Sequence, residues 1–330
     1  MDRREKVFVA GHRGLVGSAL VANLMGRGYH NLVLRTHQEL DLQNKEATEA
    51  FIAQEKPDYV FIAAAKVGGI VANNTFPAEF ILSNLAIQTN IINASYLNRV
   101  KRLLFLGSSC IYPRLAPQPL REEFLLTGPL EATNRAYAIA KIAGIEMCWA
   151  YNREFSTQFV AVMPTNLYGP GDNYHPEHSH VIPAMIRRFH EAKLHNSPVV
   201  TVWGTGTPRR EFMFSEDMAD ACIHIMNLPD PLFSTLLGSD EAATGVFMPP
   251  AVNIGVGADM SITELAETVR DVVGFRGDIV FDASKPDGTP QKLLDVSRIN
   301  ALGWRRKFEF RQGLIAAYAD FLSRHSEASQ

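Results

Sequence analysis

Tyr137 and Lys141 stand four residues apart in YAIAK. On a helix that spacing puts both side chains on one face, one turn apart. A tyrosine ordinarily holds its proton until about pH 10. A neighbouring ammonium favours the phenolate and lowers that value. Such a phenol can exchange a proton with a carbinol or carbonyl oxygen while a hydride moves at the attached carbon. Ser108 lies just past the apolar run RLLFL and offers that oxygen a second hydrogen bond. Cys110 follows two residues later, in GSSCIYP. Ketone chemistry alone gives this thiol no task, and packing under the loop is its other reading.

Hydride chemistry needs a donor, and the start of the chain supplies a place for one. Gly11-His12-Arg13-Gly14-Leu15-Val16-Gly17 follows the apolar run KVFVA and opens an amphipathic segment. Gly11 permits a tight turn, Gly14 lets backbone approach a pyrophosphate, and Gly17 lets the helix pack against the strand. The helix N-terminus then presents unpaired N–H groups to the phosphates. After the second apolar run comes Arg35 rather than an acidic residue. An acid there would accept from the ribose 2′-OH of NAD, whereas an arginine suits a 2′-phosphate. With Arg13 this predicts NADP(H), the alternative for Arg35 being a solvated surface charge. Asp41 reads either as a contact to the adenine amino group or as a helix N-cap.

These groups need a scaffold that gathers them at one edge. Apolar runs at 6–11, 31–35, 58–65, 101–108 and 157–164 alternate with helical segments at about 14–27, 44–55, 78–98 and 137–155. Continuous apolar strands alternating with helices imply a parallel sheet covered on both faces. The expected fold is α/β, a Rossmann-type doubly wound sheet with a smaller C-terminal α/β cap. Residues 1–165 are expected to form the nucleotide domain. Segments near 211–227 and 251–258 return to it, and most of 166–330 forms the cap. A helix is expected at about 180–195, a strand over VVTVWG, another near REFMFS, and a surface excursion over 228–250.

The chain has 330 residues and a net charge of −3, so no global basic field suits nucleic acid or an anionic membrane. Any anionic ligand must be held by local arginines. No apolar stretch approaches the roughly 20 residues that span a bilayer, and the charged start, MDRREKVFVAG, does not read as a signal peptide. Cys110, Cys148 and Cys222 are few and unpaired in spacing, which argues against a disulfide framework or a metal site. The expectation is a cytoplasmic protein. Cys148 and Cys222 read as packing residues.

The motifs GHRGLVG, AAAKVGGIVANNT, FLGSSCIYP, YAIAKIAGI, MPTNLYGP, SHVIPA, WGTGTPRREF and FDASKPDGTP span nearly the whole chain. Together they resemble the extended short-chain dehydrogenase/reductases, and among these the GDP-L-fucose synthase family. The resemblance implies NADPH-dependent inversion at C3 and C5 of a GDP-linked 4-keto-6-deoxy sugar, followed by reduction at C4. It implies Cys110 and His180 as a second acid/base pair. A thiol and an imidazole, with ordinary pKa values of about 8.5 and 6.5, bracket neutrality. The bland alternative for His180 is a helix cap. His175 and His178 read as surface residues.

The resemblance further implies cofactor contacts from Leu42, Ala64, Leu106, Gly107, Ser109, Pro164, Thr165, Asn166, Leu167 and His180. It implies substrate contacts from Asn166, Arg188, Trp203, Arg210 and Asp287. Arg187 and Arg209, one position away, are expected to point elsewhere. Where the family often has a second arginine after Arg35, this chain has His37. A homodimer joined through a four-helix seam of 78–98 and 137–155 is also implied.

Overall fold

Strands whose residues are apolar on both faces must be covered on both faces, and the computed structural model shows how. It describes residues 1–176, 179–239, 247–285 and 287–326. His178 and the tip of the 228–250 excursion lie outside these. The strands β1 (Val7–Ala10), β2 (Leu32–Val33), β3 (Tyr59–Ile62), β4 (Arg102–Leu106) and β5 (Phe159–Pro164) form one sheet with the later strand Ala251–Ile254. The spatial order is β2-β1-β3-β4-β5 and then Ala251–Ile254, and every pairing is parallel.

Alternation along each strand sends side chains to two cores. Val9, Phe61, Leu104, Val160 and Val252 pack with α1 (Leu15–Gly26) and the later helix Ser215–Met226. Phe8, Ile62, Phe105 and Phe159 pack on the other face. There they meet α2 (Lys45–Glu55), the long helix Pro77–Leu97 and the helix Arg135–Phe155. Cys148 and Cys222 are fully buried in these two cores.

One expectation fails locally, and one of two open alternatives is removed. The second strand keeps only two residues of the expected five, because Leu34 onward leaves the ladder. Asp41 does not cap α2. Asn44 does, accepting from the Ala47 N–H at 2.9 Å, while Asp41 closes a turn on the Gln43 N–H at 3.0 Å.

Beyond β5 the chain builds a third core. The helices Val181–Leu194, Ile262–Val273 and Phe310–Ser326 enclose Phe189, Val200, Val202, Leu265, Leu314 and Phe321. The strand Val199–Trp203 pairs in parallel with Asp278–Asp282, and Asn166–Tyr168 with Phe212–Phe214. Arg209–Arg210 lies between Met260–Ser261 and Gln291–Lys292.

Candidate active site

The sheet order reverses between β1 and β3, and open α/β sheets bind ligands at the carboxyl ends of strands beside such a point. Gly11 ends β1 there, Ala64 follows β3, and Leu106 to Ser109 follow along β4. Pro164, Thr165, Asn166 and Leu167 leave β5. Gly11 has φ +82°, and a Cβ on it would lie 2.6 Å from the Ala64 nitrogen. A Cβ on Gly17 would meet the Gly11 carbonyl oxygen at 2.0 Å, so both positions need glycine for the fold itself. Gly14 is different: an added Cβ would meet only that carbonyl, at 3.5 Å.

Gly14 is the N-cap of α1, whose first turn carries no capping side chain and no acid. Leu15 and Val16 begin the helix with their N–H groups free for an anion. His12 Nδ1 is buried without a hydrogen-bond partner, and burial with the adjacent Arg13 charge holds its imidazole below the usual range. A nicotinamide dinucleotide fits these features. Arg13 is exposed and makes no hydrogen bond or ion pair with any described residue. Arg35 is not free in the same way. It donates to Glu55 Oε1 at 2.9 Å and to the Leu34 carbonyl at 2.8 Å, and lies over the Phe51 ring. His37 faces Asp41 at 3.7 Å, and Leu42 offers its carbonyl to Asn90 Nδ2.

Ser108, Tyr137 and Lys141 converge. Ser108 is extended at the end of β4, and its Oγ accepts from the Cys110 N–H at 3.4 Å. Lys141 is 2% exposed, donates to the Leu106 carbonyl at 2.7 Å, and lies 5.7 Å from the Tyr137 ring centre. Burial pushes its ammonium down to about 8. Burial also raises the Tyr137 phenol, with the Cys110 charge adding to the rise and a Ser108 hydrogen bond opposing it. Among the protein's own groups, burial therefore outweighs any lowering by the lysine. The ammonium is directed at a backbone carbonyl, and desolvation of a phenolate is the larger effect.

Cys110 sits in a short 3-10 turn, 9% exposed, and lines a cavity of about 60 Å³ with Arg114, Gln118, Glu131, Asn134 and Lys292. It is not sealed into either core. Burial raises its thiol, while Lys292 is the strongest opposing influence. His180 occupies the N-cap position of the helix Val181–Leu194, but its side chain makes no cap hydrogen bond. The residue is exposed, yet enough protein surrounds its ring for desolvation to lower its pKa.

Neighbouring arginines take different partners. Arg187 donates to Glu191 at 2.7 Å and to the Tyr174 carbonyl, and Arg209 pairs with Asp259 at 2.8 Å. Arg188 uses one nitrogen on the Thr201 carbonyl and faces a groove of about 460 Å³ that also holds Trp203, 58% exposed. Burial lowers the Arg210 guanidinium and nearby Asp287 opposes the shift. Asp287 itself accepts from the Thr205 N–H at 2.7 Å and from its hydroxyl at 2.9 Å, so it fastens the turn that carries Gly204 to the neighbouring loop.

Two residues escaped the sequence reading. Lys292 faces the Cys110 cavity. Glu211 is fully buried, and its carboxylate accepts from the N–H groups of Val256, Gly257 and Leu294. Its carbonyl accepts from Thr165 and Asn166. Nothing in REF marks that role, since the carboxylate stands between Arg210 and Phe212 where two short strands meet.

The profile of the NAD dependent epimerase/dehydratase family matches residues 7–234. The chain is 54% identical over 319 residues to "GDP-L-fucose synthase" of Escherichia coli (strain K12), covering 97% of each. It is 54% identical over 322 residues to "Putative GDP-L-fucose synthase 2" of Arabidopsis thaliana, covering 98% of this chain and 93% of that one. A GDP-mannoheptose C4 reductase from Campylobacter jejuni, solved with NADP bound, superposes with a TM-score of 0.87. The two are 42% identical, over 97% of this chain and 99% of that one. With its glycine turn, its serine–tyrosine–lysine set and this likeness along nearly its whole length, the chain belongs to the NAD dependent epimerase/dehydratase family, among the GDP-L-fucose synthases.

Proposed function

We infer that the chain converts GDP-4-dehydro-6-deoxy-D-mannose to GDP-L-fucose with NADPH, inverting C3 and C5 and then reducing the C4 ketone. The observation that carries this reading is a thiol beside the serine–tyrosine–lysine set. Ser108, Tyr137 and Lys141 end at one mouth of the sheet, and Cys110 opens to a cavity beside them. NADP(H) is held by the Gly11–Gly17 turn, with Arg13 the free guanidinium for the 2′-phosphate and Arg35 behind it. When bound, the cofactor supplies a hydride to C4.

The protein's own groups do the rest. Ser108 and Tyr137 donate hydrogen bonds to the C4 oxygen, polarising the carbonyl so that the protons at C3 and C5 become acidic. Cys110 and His180 remove such a proton from one face and return one to the other. The C4 oxygen carries the enolate charge in between, and no net oxidation occurs. For reduction, Tyr137 gives its proton to the C4 oxygen as the alkoxide forms, and Lys141 steadies the phenolate left behind. Asn166 and Thr165 border the nicotinamide side, oriented by Glu211. Arg188 and Arg210 hold the diphosphate and Trp203 packs on sugar or base, near the groove lined by Arg188 and Trp203.

We propose that 1–165, with 211–227 and 251–258, form the NADP-binding domain and that most of 166–330 forms the cap. The separate core around Phe189 and Leu265 supports the division. We also propose a homodimer through the helices Pro77–Leu97 and Arg135–Phe155, which pack together and leave Leu82 and Ile139 exposed. Among the described residues no helix is long and apolar enough to cross a membrane. The three free cysteines support a cytoplasmic setting. Purified protein mixed with the keto sugar tests the function. NADPH is consumed with higher kcat/KM than NADH, and GDP-L-fucose is formed. A GDP-sugar reduced at C4 with the configuration at C3 and C5 retained contradicts it.

A further inference from the structure

We propose that Lys292 is the cation that lets Cys110 ionise inside the protein, and so is a positioning residue for proton transfer at C3 and C5. This rests on the functional reading above and adds a residue to it.

The geometry comes first. Lys292 sits on the two-residue strand Gln291–Lys292, in register with Arg210. Its backbone is fixed on three sides. Its carbonyl accepts from the Glu211 N–H at 3.3 Å. The next residue, Leu293, donates to Gln118 Oε1 at 2.9 Å, and Leu294 donates to the buried Glu211 carboxylate at 3.0 Å. These bonds hold the Lys292 backbone beside the cavity that the residue lines with Cys110. Its ammonium makes no hydrogen bond or ion pair with any described residue.

Charge supplies the second argument. Burial penalises the thiolate and the ammonium separately, and each relieves the other. The other groups around the sulfur do not replace this cation. Lys141 acts on Cys110 more weakly than Lys292 and is committed to the Leu106 carbonyl. Ser108 offers only a neutral hydroxyl, and Tyr137 is protonated. Arg114 and Glu131 line the same cavity with opposite charges. Arg210 acts on Lys292 itself and lowers its pKa.

The test is the pH dependence of Cys110 alkylation by limiting iodoacetamide in the full chain with saturating NADP⁺. The labelled peptide is read by mass spectrometry. Cys148 and Cys222 are fully buried and serve as internal controls for folding. Lys292→Met should slow labelling of Cys110 about tenfold near neutral pH, shift the midpoint upward by about one pH unit, and leave NADPH binding unchanged. Lys292→Arg should keep most of the wild-type profile. In the same variants, deuterium exchange into C3 and C5 of the keto sugar should slow in Lys292→Met and recover on raising the pH. An unchanged labelling midpoint in Lys292→Met overturns the proposal, as does an equal shift in Lys292→Arg. Because labelling needs no sugar, the proposal can fail while the functional reading stands, and the reverse.

Discussion

A tyrosine that must hand a proton to a ketone has to keep that proton at neutral pH. Tyr137 does so through burial, which keeps its phenol protonated. Lys141 matters afterwards, when the phenolate exists and needs a neighbouring positive charge. Tyr137→Phe should lower the rate of C4 reduction by about 10²–10⁴-fold, the usual worth of a positioned general acid. Exchange at C3 and C5 should survive in part, through Ser108. Product analysis in deuterated water separates the two steps. The Lys141 ammonium is held near 8 by burial, so it is present below that pH and lost as pH rises through it. The kcat for reduction should therefore fall above about pH 8, and a flat profile to pH 9.5 would remove the ammonium from the step. The YAIAK spacing and the upstream serine made this set legible in the sequence. Lys292 and Glu211 were not legible, since both depend on which distant strand lies beside which. Arg35 was legible as a charge, but its partner Glu55, twenty residues away, was not.

Glycine turns are read from spacing, but their reasons differ from position to position. Gly17 touches the Gly11 carbonyl so closely that any Cβ must displace the helix, whereas a Cβ on Gly14 would make only ordinary contact with that carbonyl, at 3.5 Å. Gly17→Ala should therefore cost stability, about 1–3 kcal/mol as for other overpacked sites, together with cofactor binding. Gly14→Ala should leave the melting temperature nearly unchanged and weaken NADPH binding, because the methyl group stands where the pyrophosphate approaches. Thermal melts beside fluorescence titrations with NADPH decide between these outcomes. Equal loss of stability in both variants would contradict the assignment. The main strands and long helices followed from their apolar runs and periodicity, and they fall within a few residues of expectation. The second strand did not. An apolar centre such as LVL in NLVLR says nothing about how many residues find a partner, and here only Leu32 and Val33 do. The cap of α2 went astray because Asp41 and Asn44 are both good capping residues, and only the local turn selects Asn44.

At the scale of the molecule, the return of Ala251–Ile254 to the edge of the main sheet ties the end of the chain to its beginning. It also brings Glu211, Leu294 and Lys292 beside the mouth where β4 and β5 end. This interleaving explains why a cut at residue 165 would separate the catalytic set from the groups that orient it. Leu82 and Ile139 are exposed apolar residues on two helices that pack against each other. Joined to a second copy, they would be covered. Light scattering should report a dimer for the wild type and a shift toward monomer for Leu82→Lys; a wild-type monomer would contradict the seam. The central claim is that one pocket both inverts carbons and reduces a ketone. It is tested most directly by incubating the enzyme with GDP-4-dehydro-6-deoxy-D-mannose and NADPH in deuterated water. The account predicts GDP-L-fucose carrying solvent deuterium at C3 and C5, with that label lost and turnover slowed in Cys110→Ser. A reduced product with no deuterium at either carbon, or an unchanged label in Cys110→Ser, would contradict it.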